Sequence, residues 1–163
     1  MTINQIHVIN SFNGKYDFLS NAYPATVMYA GLTFSNAEAA YQAMKYPDQE
    51  TREQFCDLDA WEAKQFGREL EQKPDWAEWN QKKEEVMLAI VTAKFLQNPD
   101  LQEKMLETGD AILVQGSSDS FWGVSRKTGA GENRMGAILM HVRESLKENA
   151  EQMEGNAKEA EDY

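Results

Sequence analysis

The spacing of apolar and polar positions along the chain predicts more helix than strand. The longest helical pattern, DWAEWNQKKEEVMLAIVTAKFLQ, covers residues 75–97, and its second half is apolar nearly all round, which is typical of a buried helix. A further helix is predicted after Asn133, where apolar residues recur every three or four positions from Met135 to Leu146. Shorter helical patterns occupy residues 35–46, 48–56, 59–72 and 99–109.

Strand patterns are few and short. IHVINSF (6–12) alternates, TVMYAGLTF (26–34) predicts a hairpin broken at Ala30-Gly31, and AILVQGS (111–117) predicts a buried strand. The sequence of 163 residues therefore predicts an α+β fold: a mainly helical single domain with a few short strands. Because residues 148–163 lack a core-forming face, we expect a domain over 1–147 and a frayed or disordered acidic tail over 148–163.

Charge and composition narrow the possible functions. The formal net charge is −11, of which the segment 147–163 contributes −4, from six acids and two lysines. Tight binding to duplex DNA is disfavoured because neutralisation of phosphate supplies most of that affinity. No stretch has the roughly 20 apolar residues that cross a membrane, and the first residues do not resemble a secretory signal, so we expect a soluble, cytoplasmic protein with no membrane partner.

Metal and disulfide chemistry find little support in the sequence. Cys56 is the only cysteine, so it cannot form an intramolecular disulfide, and we interpret it as a packed thiol. His7 and His141 are the only histidines, and neither has a partner at the spacing of metal ligands. We therefore expect no metal and no cofactor.

One helix face carries a possible set of reactive groups. Glu38, Gln42 and Lys45 are four and three residues apart in SNAEAAYQAMKY, which puts them on one face with Tyr41 beside them. The alternative is structural. Ser35 and Glu38 match the S-x-x-E capping box, and Lys45 would then be a surface lysine near the end of the helix.

The stretch after the last predicted strand is a second candidate. Asp119 is either an active-site acid or a turn residue, and Phe121 and Trp122 either stack on a flat ring or close the core. Gly129 and Gly131 then allow the backbone to approach a ligand closely.

A phosphate site is the functional interpretation of this loop. The helix that follows Asn133 would direct its first N–H groups at an anion. Three cations, Arg126, Lys127 and Arg134, surround the glycines against the single acid Glu132. The alternative is a glycine-rich surface turn with incidental charges, since neither a P-loop nor a G-x-G-x-x-G motif is present.

Lys94 and three tryptophans are further candidates. Lys94 lies in the apolar run MLAIVTAKFLQ; it either extends its amine to the surface or stays buried with a lowered pKa, as a nucleophile would. Trp61, Trp76 and Trp79 are interpreted as core or groove-lining residues.

Taken in order, several segments resemble the NADAR family, also called YbiA-like. They are FLSNAYP, AEAAYQAMK, AKQFGR, a DW pair, AKFLQNPDLQEKMLETGDAILVQGSSDSFWGV and GAGENRMGAILMHVR. The resemblance extends from about Phe12 to Leu146, and it rests on the order and spacing of the segments. It implies a YbiA-like fold and a hydrolase that cleaves N-glycosidic bonds of ribosylated bases. Two substrate classes are implied: phosphoribosylamino-pyrimidine intermediates of riboflavin synthesis, and ADP-ribosylated guanine.

The resemblance also implies roles for individual residues. Glu38 would protonate the leaving nitrogen, and Lys45 would trap the opened sugar as a Schiff base. With Asp119 they form the expected catalytic set. The expected substrate-binding residues are Ser20, Asn21, Tyr41, Gln42, Trp122, Gly123, Arg126, Gly131 and Asn133.

The chain departs from the family pattern at two positions. Ala39 stands where a histidine often follows the motif glutamate, and Ala22 stands where an aromatic residue is usual. The glutamate and the lysine are both retained, so we expect an enzyme that acts on a small ribosylated base or on ADP-ribosylated guanine. The alternative is a non-catalytic module that senses ADP-ribose or a nucleotide.

Overall fold

A computed structural model of the chain describes residues 5–161, with side chains as far as residue 158. The chain divides into two compact units, which we call the central unit (11–101) and the terminal unit (5–10 with 102–161). In chain order the elements are β1 (Val8–Ile9), a 3-10 helix (Gly14–Leu19), β2 (Pro24–Tyr29), β3 (Leu32–Asn36), α1 (Ala37–Ala43), α2 (Gln49–Glu53), α3 (Ala60–Glu69), α4 (Trp76–Gln97), α5 (Pro99–Glu107), β4 (Ile112–Leu113) and α6 (Arg134–Glu161).

The central unit contains the predicted hairpin. β2 and β3 pair antiparallel, and the turn between them holds Ala30 and Gly31 at φ of 52° and 78°. Two successive residues with positive φ match the right-handed twist of a hairpin, so the break predicted at this dipeptide is confirmed. Gln97 at the end of α4 bonds both backbone groups of Met28, which fixes the end of the helix to β2.

Helix α4 forms much of the core of the central unit and packs against β2 and α1. Its N-cap is Asp75, whose side chain accepts from the N–H of Glu78. Ile90, Val91 and Phe95 in its second half are fully buried, as the apolar pattern predicted. Helix α3 also packs against α1 and begins with a capping box between Asp59 and Glu62.

The terminal unit is built on α6. β1 pairs with β4 in parallel, with Val8 opposite Ile112, and α6 packs against β4. The sequence predicted a frayed or disordered tail after residue 147. Helix α6 continues to Glu161 in the structure, with every side chain exposed from 148 to 158, and residues 162 and 163 lie outside the described part of the chain. The domain boundary at residue 147 and the frayed or disordered tail stay predictions.

The predicted fold class is confirmed. The described chain is mainly helical, with four short strands in two separate pairs, which is an α+β arrangement without βαβ repeats. None of the described helices is long and apolar enough to span a bilayer.

Candidate functional site

Helix α1 begins one residue later than the predicted capping box requires. Asn36 is the N-cap, and its side chain accepts from the N–H of Ala39 at 2.8 Å. The hydroxyl of Ser35 instead donates to the carbonyl of Cys56 at 2.8 Å. The capping box predicted from Ser35 and Glu38 is therefore wrong. Ser and Asn are both good N-caps. Because the hydroxyl of Ser35 bonds Cys56, about twenty residues away in sequence, Asn36 is left as the N-cap.

With the cap provided by Asn36, Glu38 belongs to a different set of contacts. Its side chain is buried, with 9% of its surface exposed, and its Oε1 accepts from Nε2 of Gln42 at 2.9 Å. Oε1 of Gln42 in turn accepts from Nζ of Lys45 at 3.0 Å. The amide of Gln42 thus joins the carboxylate and the amine, so the three side chains predicted to share a face form one hydrogen-bonded line.

Burial and neighbouring charges set the protonation of Lys45. Desolvation lowers the pKa of its amine, the negative charge of Glu38 opposes this, and the cations Lys64 and Arg68 of α3 lower it further. Because Lys45 is half-buried in the structure, the alternative of an exposed surface lysine near the end of the helix does not hold. A lowered pKa is what an amine nucleophile needs near neutral pH.

Two aromatic rings face the amine of Lys45. Its Nζ is 5.5 Å from the ring centroid of Tyr41 and 5.6 Å from that of Trp76. Trp79 is buried beside Tyr41, as predicted for a core residue, whereas Trp76 is 52% exposed. The sequence pattern did not separate the buried Trp79 from Trp76 and from Trp61, which is 70% exposed. Trp76 directly follows the cap of α4, and this position is the signal that could have set it apart.

The first predicted binding loop adjoins the start of α1. The carbonyl of Asn21 accepts from the N–H of Glu38 at 3.1 Å, and Nδ2 of Asn21 lies 3.4 Å from the sulfur of Met87. Ser20 accepts from the N–H of Ala22 through its hydroxyl. Ser20 and Asn21 therefore lie beside the predicted catalytic glutamate within the central unit.

Lys94 does not extend to the surface. Its side chain is 1% exposed, and Nζ donates to the carbonyls of Phe18 at 2.7 Å and Ser20 at 2.9 Å. Burial lowers its pKa to about 7, opposed by the charge of Asp17.

In the terminal unit, Asp119 organises its own loop. Oδ1 accepts from the N–H groups of Phe121 at 2.9 Å and Trp122 at 3.1 Å, and the side chain is exposed. The rings of Phe121 and Trp122 meet edge to face with centroids 4.8 Å apart. This geometry is that of a turn-forming aspartate. A catalytic role for Asp119 stays a prediction.

The start of α6 differs from the predicted anion site. The N–H groups of Arg134 and Met135, the first two of the helix, donate to the carbonyls of Phe121 and Trp122 at 3.1 and 3.0 Å. The expectation that these groups point at a phosphate is therefore wrong, because the preceding loop already satisfies them. Positive charge for a phosphate would have to come from side chains, and Arg126 and Lys127 are exposed there.

Asn133 and two glycines hold this loop together. Asn133 precedes α6, and its side chain accepts from the N–H of Gln115 at 2.9 Å and donates to the carbonyl of Leu113 at 3.0 Å. Gly131 has φ of 144°, and a Cβ there would overlap the carbonyl oxygen of Gly123. A Cβ at Gly123 would lie 2.6 Å from Cβ of Ser117. Close packing thus accounts for both glycines without a ligand.

The structure groups the predicted site residues by unit. The central unit brings together six of them: Ser20, Asn21, Glu38, Tyr41, Gln42 and Lys45. The terminal unit holds the other six in one loop region: Asp119, Trp122, Gly123, Arg126, Gly131 and Asn133. Within the part of the chain that the structure describes, no three His, Cys, Asp or Glu side chains form a group that could hold a metal ion.

Known proteins resemble this chain over most of its length. A riboflavin biosynthesis protein of Vibrio vulnificus is 40% identical over 140 residues, which are 83% of this chain but only 37% of that longer protein. The N-glycosidase YbiA of Escherichia coli is 33% identical over 143 residues, 85% of this chain and 88% of YbiA.

A solved structure also resembles this chain. The NMR structure of Escherichia coli YbiA matches with a TM-score of 0.77 and 31% identity, and the match covers 91% of this chain and 89% of that one. The family model of the NADAR domain matches residues 8–147 as one domain. The chain therefore belongs to the NADAR domain family.

Proposed function

We propose that this protein is an N-glycosidase that hydrolyses the C1–N bond between a ribose and a base in a phosphate-bearing substrate. The observation that carries the proposal is the hydrogen-bonded line of Glu38, Gln42 and Lys45. It combines a buried carboxylate with an amine of lowered pKa. The relatives named N-glycosidases support the reaction class.

The chemistry follows from these two groups. As the C1–N bond breaks, C1 of the ribose gains positive charge, which a nearby carboxylate stabilises. We assign Glu38 as the acid/base that gives a proton to the leaving nitrogen. The neutral amine of Lys45 then bonds to C1 and gives a proton to the Glu38 carboxylate, which passes it to the ring oxygen as the C1–O bond of the ring opens. Water hydrolyses the resulting Schiff base to the aldehyde of the opened sugar and the free amine.

Gln42 supports both roles by position. Because its amide donates to Glu38 and accepts from Lys45, it orients the carboxylate and the amine along one face of α1. Gln42 accepts a hydrogen bond from the amine of Lys45, so one N–H of that amine points at Gln42. The lone pair of the neutral amine is therefore left for the substrate. We assign Gln42 to substrate positioning together with Ser20, Asn21 and Tyr41.

For the phosphate, we propose the side chains of Arg126 and Lys127 rather than the start of α6. Both are exposed cations on a loop whose shape is fixed by its own backbone bonds, including Ser125 N–H to Ala130 at 2.9 Å. Trp122 is proposed as the ring that stacks on a base.

The substrate has two proposed classes, ADP-ribosylated guanine and the phosphoribosylamino-pyrimidines of riboflavin synthesis. The second class is supported by the name of the Vibrio relative, of which this chain matches only a part. Both classes share a ribose C1–N bond, a flat base and phosphate. Incubation with one compound of each class, followed by mass analysis of the products, distinguishes them.

A trapping experiment tests the lysine route. Borohydride added during turnover should reduce a Schiff base to a stable adduct on Lys45, and the adduct should be lost in Lys45→Arg because a guanidinium stays charged. Turnover without any adduct would favour direct attack by water assisted by Glu38. Binding of ADP-ribose without release of a base from either compound would indicate a sensor instead of an enzyme.

A further inference from the structure

The buried Lys94 has no part in the reaction proposed above, yet it is the charged residue most deeply buried in the described chain. It projects from the second half of α4, where its neighbours Ile90, Val91 and Phe95 form the core. A methionine or leucine would fill this space without the cost of desolvating an amine. The contacts of its Nζ must therefore explain why a lysine is present.

The two hydrogen bonds of Nζ lie on one short segment. Nζ donates to the carbonyls of Phe18 and Ser20, which are 76 and 74 residues away in sequence. They stand at the end of the 3-10 helix, where carbonyls lack partners within the helix. The rings of Phe95 and Tyr23 lie 5.2 and 5.8 Å from Nζ, which favours a cation at this place.

The same segment reaches the predicted catalytic glutamate. Asn21 follows Ser20 directly, and its carbonyl accepts from the N–H of Glu38 at 3.1 Å. That N–H is among the first of α1, so the helix itself cannot satisfy it. The segment 18–21 is thus held by Lys94 at one end and is bonded to Glu38 at the other.

We propose that Lys94 is a positioning residue for the glycosidase reaction: it holds the segment 18–21 so that the carbonyl of Asn21 fixes the backbone of Glu38. Lys94 acts through this segment and does not touch the substrate. The inference rests on the proposed role of Glu38 for its effect on activity, but the structural link to the Glu38 amide does not depend on that role.

The geometry also argues against Lys94 as the nucleophile. Its amine is enclosed by the core, two of its hydrogens point at backbone carbonyls, and two rings cover it. A nucleophilic amine must present its lone pair to a sugar, and Lys45 is only half-buried. The lowered pKa of Lys94 follows from burial alone and requires no reaction.

Lys94→Met tests the proposal, because methionine keeps the length and apolar contacts of the side chain but removes the donor. The matched control is Lys82→Met on the same helix, where the lysine side chain is 43% exposed and pairs with Glu78 at 3.4 Å. In Lys94→Met we expect the backbone N–H of Glu38 to exchange with solvent about tenfold faster, as for the loss of one hydrogen bond. NMR-detected hydrogen exchange measures this without any substrate.

Activity is the second measurement. We expect kcat of Lys94→Met to fall between about tenfold and a hundredfold, the range for a displaced catalytic group, with KM nearly unchanged. The borohydride adduct should remain on Lys45. If Lys94→Met does not fold, Lys94→Gln, which keeps a shorter donor, should show the same effects to a smaller degree.

Two results would overturn the proposal: wild-type protection of the Glu38 amide in the folded variant, or an adduct that maps to Lys94. If the wild-type protein shows no turnover on either substrate class while the Glu38 amide still loses protection in Lys94→Met, the proposed function fails and the positioning role of Lys94 stands.

Discussion

Replacement of Glu38 by glutamine distinguishes a catalytic role of this residue from a structural role. The change keeps the size of the side chain and an oxygen that can accept from Nε2 of Gln42. In the wild-type structure this Nε2 lies 2.9 Å from Oε1 of Glu38. It removes only the charge and the ability to give and take a proton. The N-cap is untouched, because Asn36 performs that function.

The expected change in stability is small. A hydrogen bond to a charged group contributes about 1.5–3 kcal/mol and a neutral one about 0.5–1.5 kcal/mol, so the weaker bond costs about 1 kcal/mol. A neutral side chain is also less costly to bury than a carboxylate, which offsets part of this loss because Glu38 is 9% exposed. We therefore expect the free energy of unfolding of Glu38→Gln, measured in urea, to lie within about 1 kcal/mol of the wild type.

The expected change in rate is large. General acid–base catalysis contributes about 10²–10⁴-fold, which corresponds to about 3–5 kcal/mol of the activation barrier. A change in the protonation of Lys45 cannot account for such a loss of rate. The charge of Glu38 raises the pKa of Lys45, so its removal lowers that pKa further and increases the neutral, nucleophilic fraction. A lower rate in Glu38→Gln therefore reports the missing proton.

The assay is release of the base from ADP-ribosylated guanosine and from the phosphoribosylamino-pyrimidine, followed by mass analysis. Glu62→Gln is the matched control, since Glu62 is the glutamate of a true capping box on an exposed position of α3. The control should keep the wild-type rate. A rate of Glu38→Gln close to that of the control would remove Glu38 from the mechanism.

Three further predictions concern the terminal unit. Alanine at both Arg126 and Lys127 should weaken the affinity for ADP-ribose more than for ribose, most clearly at low salt, and an equal loss in titrations with both sugars would contradict a phosphate role. Gly131→Ala should lower the free energy of unfolding, measured in urea, by about 2 kcal/mol or more, because its φ of 144° is strained for alanine and the added Cβ would overlap a carbonyl oxygen. Gly129→Ala is the control: it has φ of 72° and open space around it, so it should lower that free energy by less. Deletion of residues 148–163 should change that free energy by less than about 0.5 kcal/mol, because the side chains from 148 to 158 are exposed, and a marked drop in the melting temperature would show otherwise.

The sequence predicted well those features that depend on local pattern. The hairpin at Ala30-Gly31 requires two residues that tolerate positive φ, and the buried half of α4 requires a run of apolar residues. The face shared by Glu38, Gln42 and Lys45 follows from helical spacing alone. These elements were predictable because residues close in sequence determine them.

The features that were missed depend on residues distant in sequence. Ser35 and Asn36 are both suitable N-caps, and only the bond from Ser35 to Cys56 leaves Asn36 in that position. The first N–H groups of α6 look free in sequence, but the carbonyls of Phe121 and Trp122 accept from them. Both errors arise because a local motif identifies which groups need partners without identifying the partners.

The chain departs from the family pattern at Ala39 and Ala22. Ala39 is fully buried, and its N–H is the one that Asn36 caps, so a missing imidazole at this position does not remove any contact of the line from Glu38 to Lys45. Ala22 is exposed, and its N–H bonds Ser20 within the loop that reaches Glu38. The hydrogen-bonded line from Glu38 to Lys45 needs only residues of one short helix and the turn after it. Substitutions around it are therefore expected to change which substrate is held rather than whether the carboxylate and the amine meet.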